Sequence, residues 1–400
     1  MINRLPGILF HVGVHIASFF GHLKAKKWIA GRINSIPNGN FDVWVHASSL
    51  GEYWMIKTLI QSFEKNNKSV FVTVFSPSAW DIVSKNEKNS GFIPSDRLND
   101  INLFLDSIKP KFAVFAKYDL WPLMSKALIK RQIPYTIAFA EFTPNHHALW
   151  RWNILERSIY KGAIGIGHQT KKSLQLWIKS EFNNGFYCGD GRFDYVWNSQ
   201  KNWEELKNIS DFKDGKNLLI AGSSWRKEES LLLPLVLKFP KIKFAFAPHD
   251  INRVSELVKT LSVPYVLLSK IDSYPKDKIS KAAILIVDTI GQLQQLYGHS
   301  KYALIGGGFR NGLHNILEAL TFGNVITFGP EVRNHWEALS CGANILSLSA
   351  NSNDVEKWLS ELEGNKDLFS QKKISAQAFI HKNIGASKKV MDFIFAKNLI

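Results

Sequence analysis

The chain has 400 residues, 45% apolar and 21% charged, with 50 Lys and Arg against 34 Asp and Glu and a net charge of +16. Those proportions exclude disordered and fibrous classes, and the length predicts two domains. The basic surplus favours an anionic partner: nucleic acid, a phosphorylated small molecule or an anionic membrane face. Cys188 and Cys341 are the only two cysteines. They exclude a disulfide scaffold and a Cys-rich zinc site, and fit a reducing compartment.

Residues 5–23 (LPGILFHVGVHIASFFGHL) come first. His11, His15, His22, Ser18 and Pro6 make a poor membrane span. No basic leader or small-x-small cleavage site marks a signal peptide. Leu5, Ile8, Leu9, Val12, Ile16, Phe19, Phe20 and Leu23 instead make one helical stripe. Lys24, Lys26, Lys27 and Arg32 follow. Residues 1–25 therefore read as an amphipathic helix that associates with an anionic leaflet, the alternative being packing on its own domain.

Strands are predicted at 41–47, 69–75, 112–116, 133–140 and 163–167, with helices at 52–65, 120–131, 149–161 and 170–180. A polar stretch near 190–215 reads as the break. Strands follow at 217–221, 242–247, 264–268, 283–287, 302–306, 324–328 and 344–348. The helices of this half are predicted at 226–238, 250–261, 290–298, 313–321 and 367–382. Continuous apolar strands alternating with helices mean parallel sheets covered on both faces. The fold class is α/β, with two Rossmann-like domains at 26–195 and 196–400 facing a cleft. Ligands of such sheets sit at the carboxyl ends of the strands.

The turn after the first strand reads VHASSLGEYW (45–54). Ser49-Leu50-Gly51-Glu52 has the form of a capping box. Glu52 also has the place of a general base, where the positive end of the helix dipole favours a carboxylate and Gly51 lets a substrate approach. The two readings are compatible. Residues 305–319 (IGGGFRNGLHNILEA) form a glycine-rich turn. Gly306, Gly307, Gly308 and Gly312 expose backbone N–H groups to an anion, or else serve tight packing. Arg310 adds charge, and Glu318 is placed for ribose hydroxyls. No Walker A lysine follows, and the run is not a G-x-G-x-x-G fingerprint.

Read together, WVHASSLGE (44–52), KYDLWP (117–122), CGDGRFD (188–194), AGSSWRKEE (221–229), FAPHD (246–250), DTIGQLQQLY (288–297), GGGF (306–309), HNILEAL (314–320) and FGPEV (328–332) resemble the transferases of 3-deoxy-D-manno-octulosonic acid (Kdo). The KYDLW and GDGRFD forms look most like a Bacteroidetes-type branch. The resemblance implies a GT-B glycosyltransferase that moves Kdo from CMP-Kdo to a lipid A precursor of lipid IVA type. It implies an acceptor on the first domain and a nucleotide sugar on the second, at the cytoplasmic face of the inner membrane. It makes Glu52 the catalytic base. It implies donor contacts from Gly306, Gly307, Gly308, Arg310, Gly312, His314, Asn315 and Glu318, with Ser223 and His249 in the neighbouring motifs. Ser49, Gly51, Lys117 and Arg192 fall to the acceptor. The chain departs from the family where Ala247-Pro248-His249 replaces Pro-Arg-His and Lys117-Tyr118-Asp119 replaces Glu-Thr-Glu; Asn334-His335-Trp336 is a third departure.

Each assignment has a plainer alternative: His314 as a helix cap, Lys117 and Arg192 as paired or solvated charges, Asp119 and Asp194 as turn or cap residues. No D-x-D signature occurs, so neither metal nor other cofactor is expected. The acidic donor and the phosphorylated acceptor both suit a basic protein. Competing readings are another GT-B enzyme, such as a UDP-sugar transferase or a nucleotide-sugar 2-epimerase, and a nucleic-acid-binding module. The last lacks clustered cations and any RNP, KH or helix-turn-helix signature. The oligomeric state stays open.

Overall fold

The computed structural model describes residues 26, 28, 29, 38–309, 312–332, 335–342 and 345–400. The amphipathic segment 5–23, Lys24, Lys27, Arg32, Arg310 and Asn334 lie outside the described residues. Among the described residues no helix is long and apolar enough to cross a membrane.

The chain divides into two compact units, one of residues 1–195 with 383–400 and one of 196–382. The first holds a seven-stranded parallel sheet in the order β3-β2-β1-β4-β5-β6-β7. Its strands are β1 Val43–Ala47, β2 Val70–Val74, β3 Ser90–Phe92, β4 Phe112–Ala116, β5 Tyr135–Ala140, β6 Gly165–His168 and β7 Gly185–Tyr187. Alternate residues of β1 enter two different cores. Trp44 packs with Phe71, Phe104 and Phe115 on one face, while Val43, Val45 and Ala47 pack with Ile56, Leu59 and Phe63 on the other. Apolar side chains on both faces are what a covered parallel sheet demands, and each large one contributes roughly 1.5–3 kcal/mol.

The second unit repeats the plan, with seven parallel strands ordered β10-β11-β9-β8-β12-β13-β14. They are β8 Asn217–Ser224, β9 Ile242–Pro248, β10 Tyr265–Leu267, β11 Ile284–Ile286, β12 Tyr302–Ile305, β13 Val325–Phe328 and β14 Leu346–Leu348. In each sheet the strand order reverses beside the unit's first strand: at β1/β4 in one, at β8/β12 in the other. Loops leave a reversal point in opposite directions and open a crevice at the carboxyl end, where such sheets take ligands.

Three expectations need correcting. The stretch expected as a polar break contains the helix Gly191–Lys201, because fully buried Phe193 and Val196 hide in its polar run. The second domain was expected to run to residue 400, but the chain returns to the first unit. There the helix Ala386–Ala396 buries Ala386, Val390, Met391 and Ile394 in that unit's core. Asp194 secures the return, accepting from the backbone N–H groups of Gly385 and Ser387, and Phe393 stacks on Phe186 at 4.1 Å. The helix predicted at 313–321 spans only Leu317–Thr321. Asn315 Oδ1 accepts from Leu317 N at 3.0 Å and His314 N donates to Gly306 O at 3.0 Å, so local bonds hold 312–316 out of the helix.

Candidate active site

In the first unit the site grows from the turn after β1. Ser49 caps the helix Leu50–Lys65, its Oγ accepting from Glu52 N at 3.4 Å while Glu52 Oε2 accepts from Ser49 N at 3.1 Å. The capping box is therefore real. It uses one carboxylate oxygen and leaves Oε1 of half-buried Glu52 without a hydrogen-bond partner among the described residues. Packing does not demand glycine at Gly51, where an added Cβ would meet only Ser49 Oγ at 4.0 Å.

Across the reversal point, the turn after β4 brings Tyr118 and Asp119 within electrostatic reach of Glu52. Lys117 holds a left-handed φ of 58°, its N–H donating to Ala138 O at 2.8 Å. Such a conformation in a non-glycine residue is costly and clusters at functional sites. Burial, with the charge of Glu52, raises the Asp119 carboxyl to about 6, although Trp121 Nε1 donates to it at 3.0 Å. Burial and the charges of Glu52, Glu141 and Asp119 likewise raise the Tyr118 phenol. Glu141, at the end of β5, is raised by burial despite accepting from the Thr170 hydroxyl at 2.9 and 3.0 Å. Gly191 is packed so close that a Cβ would fall 2.1 Å from Met55 O, which holds the turn after β7 against the Glu52 helix.

Arg192, expected to meet an acceptor anion, spends its guanidinium on buried Asp190 instead, with Nε at 3.0 Å and a terminal nitrogen at 2.7 Å from Oδ2. The plainer reading of a paired charge holds for it. The first-unit site is thus mainly carboxylate and phenol. Its carboxylates accept hydrogen bonds from hydroxyl groups, as Glu141 does from Thr170.

In the second unit the turns after β8 and β12 are bound into one body. Gly306, Gly307 and Gly308 are dictated by packing: a Cβ would lie 2.0 Å from Ser223 O, 2.1 Å from Gly312 O and 2.6 Å from Gly329 N respectively. Gly307 and Gly312 also have φ of 86° and 82°. Two of the N–H groups expected for an anion are already engaged. Gly306 N donates to Gly222 O at 2.8 Å, and Gly307 N donates to Glu228 Oε1 at 2.8 Å. With its helix starting only at Leu317, residues 312–315 present no helix N-terminus either.

Side chains fill that role. The His249 ring stacks against both Trp225, 4.8 Å away, and His314, 4.4 Å away, each roughly parallel to it. Trp225 Nε1 donates to His314 Nε2 at 3.2 Å. Burial and the nearby charges of His249 and His335 lower His314 to about 4, so it is neutral at pH 7. Ser223 stands at the end of β8 with a φ of 51°. Burial raises Glu318 to about 7 although Asn315 Nδ2 donates to it at 3.1 Å.

The structure therefore groups Ser49, Gly51, Glu52 and Lys117 in one unit, and Ser223, His249, Gly306–Gly308, Gly312, His314, Asn315 and Glu318 in the other. The sequence reading missed Asp119 as a charge partner of Glu52, and missed Trp225, Glu228 and His335 altogether as site residues. Trp225 stands in the AGSSWRKEE motif, one residue past a strand end, which was the signal available.

The model of the family described as 3-deoxy-D-manno-octulosonic-acid transferase (kdotransferase) matches residues 19–194. A 3-deoxy-D-manno-octulosonic acid transferase of Rickettsia felis is 25% identical over 72% of this chain and 64% of its own length. One from Haemophilus influenzae is 22% identical over 88% of this chain and 86% of its own. The chain thus spans under two thirds of the Rickettsia felis relative. Among solved structures, the UDP-GlcNAc 2-epimerase of Neisseria meningitidis, bound to UDP-GlcNAc, superposes with a TM-score of 0.63 at 15% identity, over 90% of this chain and 100% of that one. That likeness speaks for the two-sheet GT-B fold. Residues 19–194 thus match the Kdo transferase family model, and most of the chain is similar to Kdo transferases, which are glycosyltransferases.

Proposed function

We propose that the chain is an inverting glycosyltransferase that moves Kdo from CMP-Kdo to a lipid A precursor of lipid IVA type, at the cytoplasmic face of the inner membrane and without a metal or other cofactor. The observation that carries this reading is Glu52. One oxygen is fixed by the Ser49 N–H and the other is unpaired among the described residues, at a strand-order reversal beside Asp119. A carboxylate held in that way is built to take a proton from a hydroxyl.

The acceptor hydroxyl loses its proton to Glu52 Oε1 as its oxygen bonds to the anomeric carbon of Kdo. The bond from that carbon to the phosphate oxygen breaks on the opposite face, which inverts the configuration, and CMP leaves with the bonding pair. Lys117 offsets charge on the acceptor side. On the second unit, His314 and Ser223 offer donors to the departing phosphate, and Glu318 accepts from ribose hydroxyls.

Incubating the full chain with CMP-Kdo and a lipid IVA acceptor, then weighing the lipid by mass spectrometry, tests the reading. A mass gain of one or more Kdo units is expected, and an unmodified lipid refutes it. The epimerase-like fold makes a uridine nucleotide the rival ligand. Protection against thermal unfolding should therefore follow CMP and not UMP or UDP.

A further inference from the structure

Trp225 was not chosen as a site residue by sequence or by resemblance, yet it meets both rings of the second-unit site. Its backbone is held by buried Glu228, whose Oε2 accepts from Trp225 N at 3.1 Å while Oε1 accepts from Gly307 N at 2.8 Å. One carboxylate thus ties the turn after β8 to the glycine bend after β12. The Trp225 ring stacks on that of His249, whose backbone N–H donates to Ser224 O at 2.9 Å. The indole N–H reaches His314 Nε2 at 3.2 Å. Indole nitrogen is a donor only. An imidazole nitrogen that accepts from it carries no proton, so in neutral His314 the proton sits on Nδ1. That Nδ1 has no hydrogen-bond partner among the described residues, and it is not among their buried unpaired atoms.

We propose that Trp225 is a positioning residue that fixes the tautomer of His314, so that a neutral Nδ1–H is presented as a hydrogen-bond donor to the phosphate of the nucleotide sugar. This rests on the reading of the second unit as the donor site. The arrangement supplies a donor to a dianion without a competing acceptor face. Without the indole N–H, the free tautomers of imidazole would exchange, and one of them turns a lone pair toward the phosphate.

The test uses the full chain labelled with 15N-histidine, with His314 assigned by loss of its signals in His314→Gln. Without ligand, the wild-type protein should show one His314 form, protonated at Nδ1 and bare at Nε2. Trp225→Phe keeps a ring against His249 but deletes the donor. It should show mixed tautomers and bind CMP about 3–10-fold more weakly by calorimetry, the span of one net hydrogen bond. His249→Ala keeps the indole donor and should leave the His314 pattern unchanged. A wild-type His314 protonated at Nε2 overturns the proposal even if Trp225→Phe does not fold. So does Trp225→Phe with an unchanged pattern or unchanged CMP affinity. Wild-type protein that fails to bind CMP overturns the donor-site reading instead, and is distinguishable because the tautomer is read without ligand.

Discussion

The two units share one sheet plan but build their sites from opposite chemistry. At the β1/β4 reversal the groups that meet are Glu52, Asp119, Glu141 and Tyr118, and the glycine of the turn is unconstrained by its neighbours. At the β8/β12 reversal the glycines are locked by backbone contacts, the buried acids are engaged by N–H groups and Arg253, and imidazole and indole rings stack together. The first is dominated by carboxylates and the second by ring nitrogens. A sugar hydroxyl suits the first and a phosphate the second. The lesson is that a strand-order reversal fixes where a ligand sits, while the side chains at its rim fix the sign of what binds.

Glu52→Gln should produce the largest effect. The amide oxygen still accepts from Ser49 N, so the capping box survives while the base is lost. Transfer from CMP-Kdo should fall by about 10²–10⁴-fold with an unchanged melting temperature. Near-normal turnover would reduce Glu52 to a cap. A glycine swap sharpens the contrast next. Gly307→Ala drives a Cβ toward Gly312 O at a φ of 86° and should cost about 3 kcal/mol in thermal or denaturant unfolding. Gly51→Ala meets nothing tight and should unfold like wild type; equal losses at both positions would erase the distinction between the two turns.

Asp119→Asn tests the acidic cluster through pH. Because the folded carboxyl lies at about 6 against an ordinary 3.8, the native state binds the proton more tightly than the unfolded chain does. Asp119 therefore costs stability as pH rises from about 4 through 6. The amide should gain about 3 kcal/mol at pH 7 and nothing below pH 4, and a gain that ignores pH would refute the assignment. The smallest effect is expected of Ser49→Ala, which removes the N-cap oxygen and should lower stability by about 1 kcal/mol, measured by urea unfolding.

Much of this was legible beforehand. The capping box at Ser49–Glu52 formed as its spacing predicts, because both partners lie within one turn. The twelve strands expected from apolar runs are present. Ser90–Phe92 and Gly185–Tyr187 were missed, because three residues at a sheet edge carry too little pattern to separate them from a loop. The helix expected from residue 313 was shortened by Asn315, whose side chain competes for a backbone N–H that periodicity counts as helical.

Apolar runs alone determined that two covered parallel sheets would form, since side chains that must leave water on both strand faces permit little else. The family motifs marked the turns that matter. Only the packed structure decided which polar groups those turns keep available. Arg192 went to Asp190, Gly307 N–H to Glu228, and His314 received a donor 89 residues away in the chain. Hydrogen bonds are settled by distance in space, and that is set when the strand ends are brought side by side.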